Sequence, residues 1–118
     1  MAATKSAVTI QTSASNTAGS TATASSVDLT TSYGMLITGK ITNGGTGPTV
    51  ACDFVVEVSN DNSAWKTLAR YTAGTTNSAV YEFAVDVPMA TMYARTVFTG
   101  NTGQTVTVEA FGHKLTGI

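Results

Sequence analysis

Apolar and polar residues alternate with period two through most of the chain. Across residues 50–59, Val50, Cys52, Phe54, Val56 and Val58 share one phase, while Asp53, Glu57 and Ser59, with Ala51 and Val55, share the other. Successive side chains of a strand point to opposite faces, so this pattern predicts a half-buried β-strand. The same alternation recurs three times. Residues 34–42 carry Met35, Ile37 and Ile41 in one phase. Residues 80–87 set Tyr81, Phe83, Val85 and Val87 against Glu82 and Asp86. Residues 105–115 set Val106, Val108 and Ala110 against Thr107 and Glu109. Residues 65–72 and 92–99 predict two further strands. The second has an awkward phase: if Tyr93 faces inward so does Arg95, and if Ala94, Thr96 and Phe98 face inward Tyr93 is exposed. A β-bulge would reconcile the two.

The first 26 residues are low in complexity, mostly Thr, Ser and Ala. Such a tract suits a polar linker. It also suits strands, because Thr is β-branched and favours the pleated sheet. Val8 and Ile10 alternate with Thr9 and Gln11 and predict a strand over residues 7–12, followed by a weaker one over 21–29. Turn chemistry separates the strands. Asn43 to Pro48 holds three glycines and a proline, Asn60-Asp61-Asn62-Ser63 is rich in residues that bond their own backbone, and Pro88 stops the strand before it. No window shows sustained helical spacing, and only residues 89–92 suit a helical turn. The expected fold is all-β: an antiparallel β-sandwich, immunoglobulin-like or jelly-roll-like, of about seven or eight strands. Residues 1–26 form a Thr/Ser-rich N-terminal arm or edge strands, and residues 27–118 form the sandwich domain.

Composition narrows what such a domain can do. Only 11% of the 118 residues are charged, whereas 33 are Thr or Ser. Seven acids against six bases leave no electrostatic footprint for nucleic acid. No apolar run approaches the ~20 residues a membrane helix needs, so no membrane partner is expected. The N-terminal residues hold no apolar h-region, which predicts synthesis in a host cytoplasm without export by that route. One Cys excludes an intramolecular disulfide, and Cys52, in an apolar strand pattern, reads as a buried reduced thiol.

Candidate chemistry is sparse. His113 is the sole imidazole and has no Gly-x-Ser-x-Gly elbow to serve. Asp53 and Glu57 point the same way about 13 Å apart along one strand, too far to share a proton. Gly44 to Thr49 lacks the Lys of a phosphate loop, precedes a strand, and reads as a flexible connection between sheets. Asn60-Asp61-Asn62 lacks the distal Glu of a calcium loop. No catalytic residue, cofactor or metal is expected. Trp65 and Tyr71 are candidates for ligand stacking, and Val8, Ile10, Met35, Met89 and Met92 for an assembly interface.

Two runs carry a resemblance. Residues 56–68 (VEVSNDNSAWKTL) and residues 92–103 (MYARTVFTGNTG), with the loop at Asn43 to Thr49, resemble segments of small β-sandwich virion structural proteins of tailed bacteriophages. Where that pattern has a glycine after Asp61, this chain has Asn62, which also tolerates positive φ. The resemblance implies a non-enzymatic capsid decoration, or cement, protein on the head surface of a virion. Its implied partners are the major capsid protein and further copies of itself, with a trimer favoured. The alternatives are a tail- or fibre-associated virion protein of the same fold and a carbohydrate-binding module. On this reading, deleting the chain up to about Ser20 leaves a folded domain and weakens only assembly.

Overall fold

The computed structural model describes residues 2–118. They form two antiparallel β-sheets packed face to face, with no helix among them. In chain order the strands are β1 (Thr4–Asn16), β2 (Ala22–Thr23), β3 (Val27–Asp28), β4 (Met35–Asn43), β5 (Asp53–Ser59), β6 (Lys66–Thr72), β7 (Val80–Val87), β8 (Tyr93–Thr99) and β9 (Val106–Gly117). The first sheet has the order β1-β9-β4-β7, and the second β2-β8-β5-β6, with β3 also on β8. Only β5 and β6 form a sequential hairpin; most other connections cross between the sheets.

The alternation read from the sequence sets the core. Met35, Ile37 and Ile41 of β4 face Phe54 and Val56 of β5, with Val85, Val87, Val106, Val108 and Phe98 around them. One layer shows why these residues fit. In the second sheet Phe98, Phe54 and Tyr71 lie side by side across β8, β5 and β6. Opposite them, across β9, β4 and β7, lie Ala110, Gly39 and Phe83. Phe83 stacks on Phe54 at 5.6 Å and on Tyr71 at 5.5 Å between ring centroids. Gly39 leaves the space the Phe54 ring occupies: a Cβ there would lie 2.5 Å from the ring edge.

Nine strands form where seven or eight were expected, because residues 21–29 divide. Ala22–Thr23 pairs with Phe98 and Val97, and Val27–Asp28 pairs with Ala94 and Tyr93. Three residues therefore face two on β8, and the edge bulges. The bulge expected within β8 itself is absent. Its pairing with β5 runs without a shift, with Ala94, Thr96 and Phe98 inward and Tyr93 and Arg95 outward. Arg95 accepts an outward place because Nε donates to Glu57 Oε1 at 2.8 Å and the guanidinium lies over the Trp65 ring at 4.2 Å. The expected helical turn at 89–92 is a β-turn, closed by Thr91 N–H to the Pro88 carbonyl at 3.1 Å. Val50 lies before β5, is exposed, and forms an isolated bridge to Thr102.

The N-terminal residues belong to both sheets. β1 runs antiparallel to β9 from Thr4 to Asn16, with register irregularities near its start and between Thr9 and Ala14. Its last residue is tied into the interior. Asn16 Nδ2 donates to Asn101 Oδ1 at 2.7 Å, and Asn101 Nδ2 donates to the Asn16 and Gln104 carbonyls at 3.0 Å each. Both side chains are buried, and all the polar atoms in this exchange are partnered. Removing β1 would strip β9 of one of its two neighbours and take two of the three side-chain hydrogen bonds from Asn101.

Candidate functional site

The two outer faces of the sandwich differ. On the second sheet, the outward positions of β5, β6 and β8 are held by ion pairs. Arg70 Nη2 meets Asp53 Oδ2 at 2.6 Å, and Arg95 meets Glu57. Val55 and Val97 also point outward, yet they are buried beneath these longer side chains. These paired charges cover much of that face, although Leu68 of the edge strand β6 stays 37% exposed. Exposed charges of this kind contribute little stability individually, but here they also cover apolar strand positions.

The outer face of the first sheet is less covered in this way. Pairing of β9, β4 and β7 places His113, Leu36 and Asp86 in one row, Phe111, Thr38 and Ala84 in the next, and Glu109, Lys40 and Glu82 in the third. Leu36 is 50% exposed and Phe111 42%. Small side chains flank them: β1 adds Ala7 beside His113 and Thr9 beside Phe111. Past the first row, Tyr33 and Met89 stand 41% and 60% exposed. They join Leu36, Val87, Pro88 and Leu115 around a hollow of about 600 Å³ rimmed by Lys5, His113 and Asp86. A second hollow of about 490 Å³ lies over Thr38 and Ala84, flanked by Phe111 and by the Lys40–Glu109 ion pair at 3.3 Å. Large exposed apolar side chains on and beside one sheet face, with charges interspersed on its central strands and rims, make a surface suited to docking.

The candidate assembly residues separate. Met89 lies in the apolar hollow. Met35 is 4% exposed and packs in the core, in the inward phase of β4 with Ile37 and Ile41, and it also lines the same hollow from within. Val8 and Ile10 are half-buried against the chain's own core, the other side of β1 from the exposed face. Met92 is exposed where β8 begins and lines neither hollow. Leu36 and Phe111 were missed. Both fall in the outward phase of strands whose inward phase is plain, and a large apolar residue in that phase was the available signal.

The two stacking candidates are not brought together. Trp65 is half-buried beside the outer face of the second sheet, with its ring covered by Arg95. Tyr71 points between the sheets and stacks on Phe83 with an interplanar angle of 12°.

The remaining polar groups serve the fold. The turn after β5 is pinned by Asp61, whose Oδ1 accepts from the Ser63 and Ala64 N–H groups at 2.9 Å and from the Ser59 hydroxyl at 3.0 Å. These bonds, the Ala64 N–H foremost, hold the Asp61 carboxyl below its ordinary range. Asn62 takes φ 61° there. The glycine loop after β4 is held down as well: Gly47 N–H donates to Asn77 Oδ1 at 2.8 Å, and the loop lies so close to Thr75 that a side chain at Gly47 has no room. Burial, reinforced by Asp53, pushes the Cys52 thiol from 9.0 up to about 11, which disfavours a nucleophilic thiolate. Among the described residues no three of His, Cys, Asp and Glu lie close enough to hold a metal ion.

No family model matches the sequence, and no curated protein matches it. Solved structures match its fold. The PBSX exported protein XepA superposes with a TM-score of 0.67 at 15% identity, over 96% of this chain and 38% of that one. The infectious bursal disease virus VP2 subviral particle gives 0.56 at 11% identity, over 95% of this chain and 32% of that one. The K3 adhesin domain of Lys-gingipain from Porphyromonas gingivalis gives 0.55 at 12%, over 85% and 72%. The chain thus spans about a third to two-fifths of the length of the first two. What it shares with them, at these identities, is the two-sheet antiparallel β-sandwich, a fold used here by an exported protein, a viral particle and an adhesin domain.

Proposed function

We propose that the chain is a non-enzymatic structural protein of a virion and, within that class, a capsid decoration protein that binds the major capsid protein and stabilises the head. The observation that carries this reading is the asymmetry of the sandwich. One outer face carries two ion pairs over its apolar positions, while the other, with one ion pair, leaves Leu36 and Phe111 exposed beside Met89. An isolated domain gains nothing from that exposure; an assembled one buries it. The low charge of the chain lowers the desolvation cost of a large contact. The phage-like runs at residues 56–68 and 92–103, and a fold that also occurs in a viral particle, support the same assignment.

Counting copies in purified virions of the virus that encodes the chain tests it. Hundreds of copies per head, and heads that disrupt at lower temperature when the protein is missing, are the expected result. A handful of copies at the tail would move the protein to a tail or fibre role, and absence from the particle would overturn the reading.

A further inference from the structure

We propose that the apolar outer face of the first sheet closes on the same face of a second copy, about a two-fold axis parallel to the strands and lying between β9 and β4. The inference rests on the reading of the chain as an assembly module and names one of its partners.

The argument comes from the order of side chains across the sheet. The strands run β1-β9-β4-β7, so this axis sets β9 of one copy over β4 of the other, and β1 over β7. Each row then meets its own complement. Phe111, large and on β9, comes over Thr38, small and on β4, where the hollow of about 490 Å³ receives it. Leu36 comes over His113. Glu109 on β9 comes over Lys40 on β4, so the ion pair formed within each copy extends into a quartet of alternating charge. At the rims Asp86, on β7, comes over Ala7, on β1, and Lys5, the next outward residue of β1, reaches it from one row away; Lys5 and Asp86 both line the larger hollow of their own copy. Every charge match occurs twice, as an isologous contact requires. A two-fold perpendicular to the strands does the reverse. It leaves Lys5 and Asp86 at opposite ends of the contact, each without a partner.

The size of the face sets the strength. Four strands about 4.8 Å apart and about nine residues long, at ~3.3 Å each, present roughly 570 Å² per copy. The total of roughly 1,100 Å² is just above the minimum for a specific interface. A reversible dimer is expected, held more firmly where copies are concentrated on a surface.

Sedimentation of the full chain over a concentration series tests the proposal. The expected result is a monomer–dimer equilibrium. Leu36→Asp should weaken it at least tenfold while leaving the circular dichroism unchanged. Asp86→Lys alone should also weaken it, by setting like charges against each other. The double variant Asp86→Lys with Lys5→Asp should recover most of the lost affinity, which a general loss of folding would not allow. A chain that stays monomeric at the highest concentration overturns the proposal, as does a trimer or a double variant no better than the single. A monomer that binds heads and loses that binding on Leu36→Asp overturns it in favour of the shell protein as occupant. A dimer that is absent from virions supports the interface and overturns only the virion assignment.

Discussion

Replacing Asn101 by Ala is expected to cost more than any surface change in this protein, although the residue lies in a loop. Its side chain is fully buried and makes three hydrogen bonds: it accepts one from Asn16 Nδ2 and donates to the carbonyls of Asn16 and Gln104. An alanine removes a partner from both carbonyls and from one Asn16 N–H; the two bonds to Asn16 are buried and that to Gln104 part-buried. At about 1 kcal/mol for each broken bond, and more for groups left dry, the loss is about 3 kcal/mol. That is a large share of the ~5–15 kcal/mol by which a domain is stable. For 118 residues it corresponds to a fall in Tm of roughly 12 °C. Urea unfolding followed by fluorescence of Trp65, the single tryptophan, measures it directly. Because Asn16 is the chief partner, the Asn16→Ala, Asn101→Ala double variant should be little worse than the worse single, a coupling within the ~0.5–3 kcal/mol range of contacting residues. A loss below about 1 kcal/mol for Asn101→Ala, or strict additivity in the double variant, would refute the view that this amide pair ties β1 to the body of the sandwich.

Four further outcomes follow from the interior. Thr96 is buried and its hydroxyl has no partner, so Thr96→Val should raise stability by about 1 kcal/mol in thermal or urea unfolding; a loss would mean that the hydroxyl is bonded. Gly39→Ala should lower stability by about 1–3 kcal/mol, because its Cβ would meet the Phe54 ring, and near-UV circular dichroism should report the displaced aromatics; an unchanged Tm contradicts this packing. Cys52 should resist alkylation at pH 8 in the native state and react on unfolding, and its raised pKa makes stability fall as pH rises from about 9 towards about 11, since the unfolded thiol releases its proton first; stability that is flat over that window in wild type, or falls equally in Cys52→Ala, would contradict it. Deleting residues 2–16 should abolish cooperative unfolding or cause aggregation by exposing the β9 edge; a soluble, cooperatively folded product would support a detachable arm instead.

The functional assignment rests on which surface is left uncovered, and that depends on pairing between distant parts of the chain. Leu36 and Phe111 lie on β4 and β9, one row apart on adjacent strands of one sheet. Neither is unusual alone, because scattered exposed hydrophobics are normal. Their adjacency, with Met89 and Tyr33 beyond them, makes the surface. Met35 and Met89 show the same dependence from the other side. One methionine falls in the inward phase of a central strand and is core; the other follows Pro88 in a turn and is surface.

The amino-acid order by itself determined the all-β class, the inward phase of β4, β5, β7 and β9, and the turn in which Asn62 takes a positive φ. These are local properties: a period-two pattern and a short polar turn need no knowledge of the neighbouring strand. Only the tertiary structure decided the rest. The phase of β8 was settled by Glu57 and Trp65, which hold Arg95 outside, and the break between β2 and β3 by the one-residue shift of their pairing with β8. The N-terminal residues became a strand of the body because β9 and Asn101 lie beside them. Register and sheet order are set by contacts between residues as far apart as Thr4 and Gly117, and alternation along one strand carries no record of which strand lies next to it.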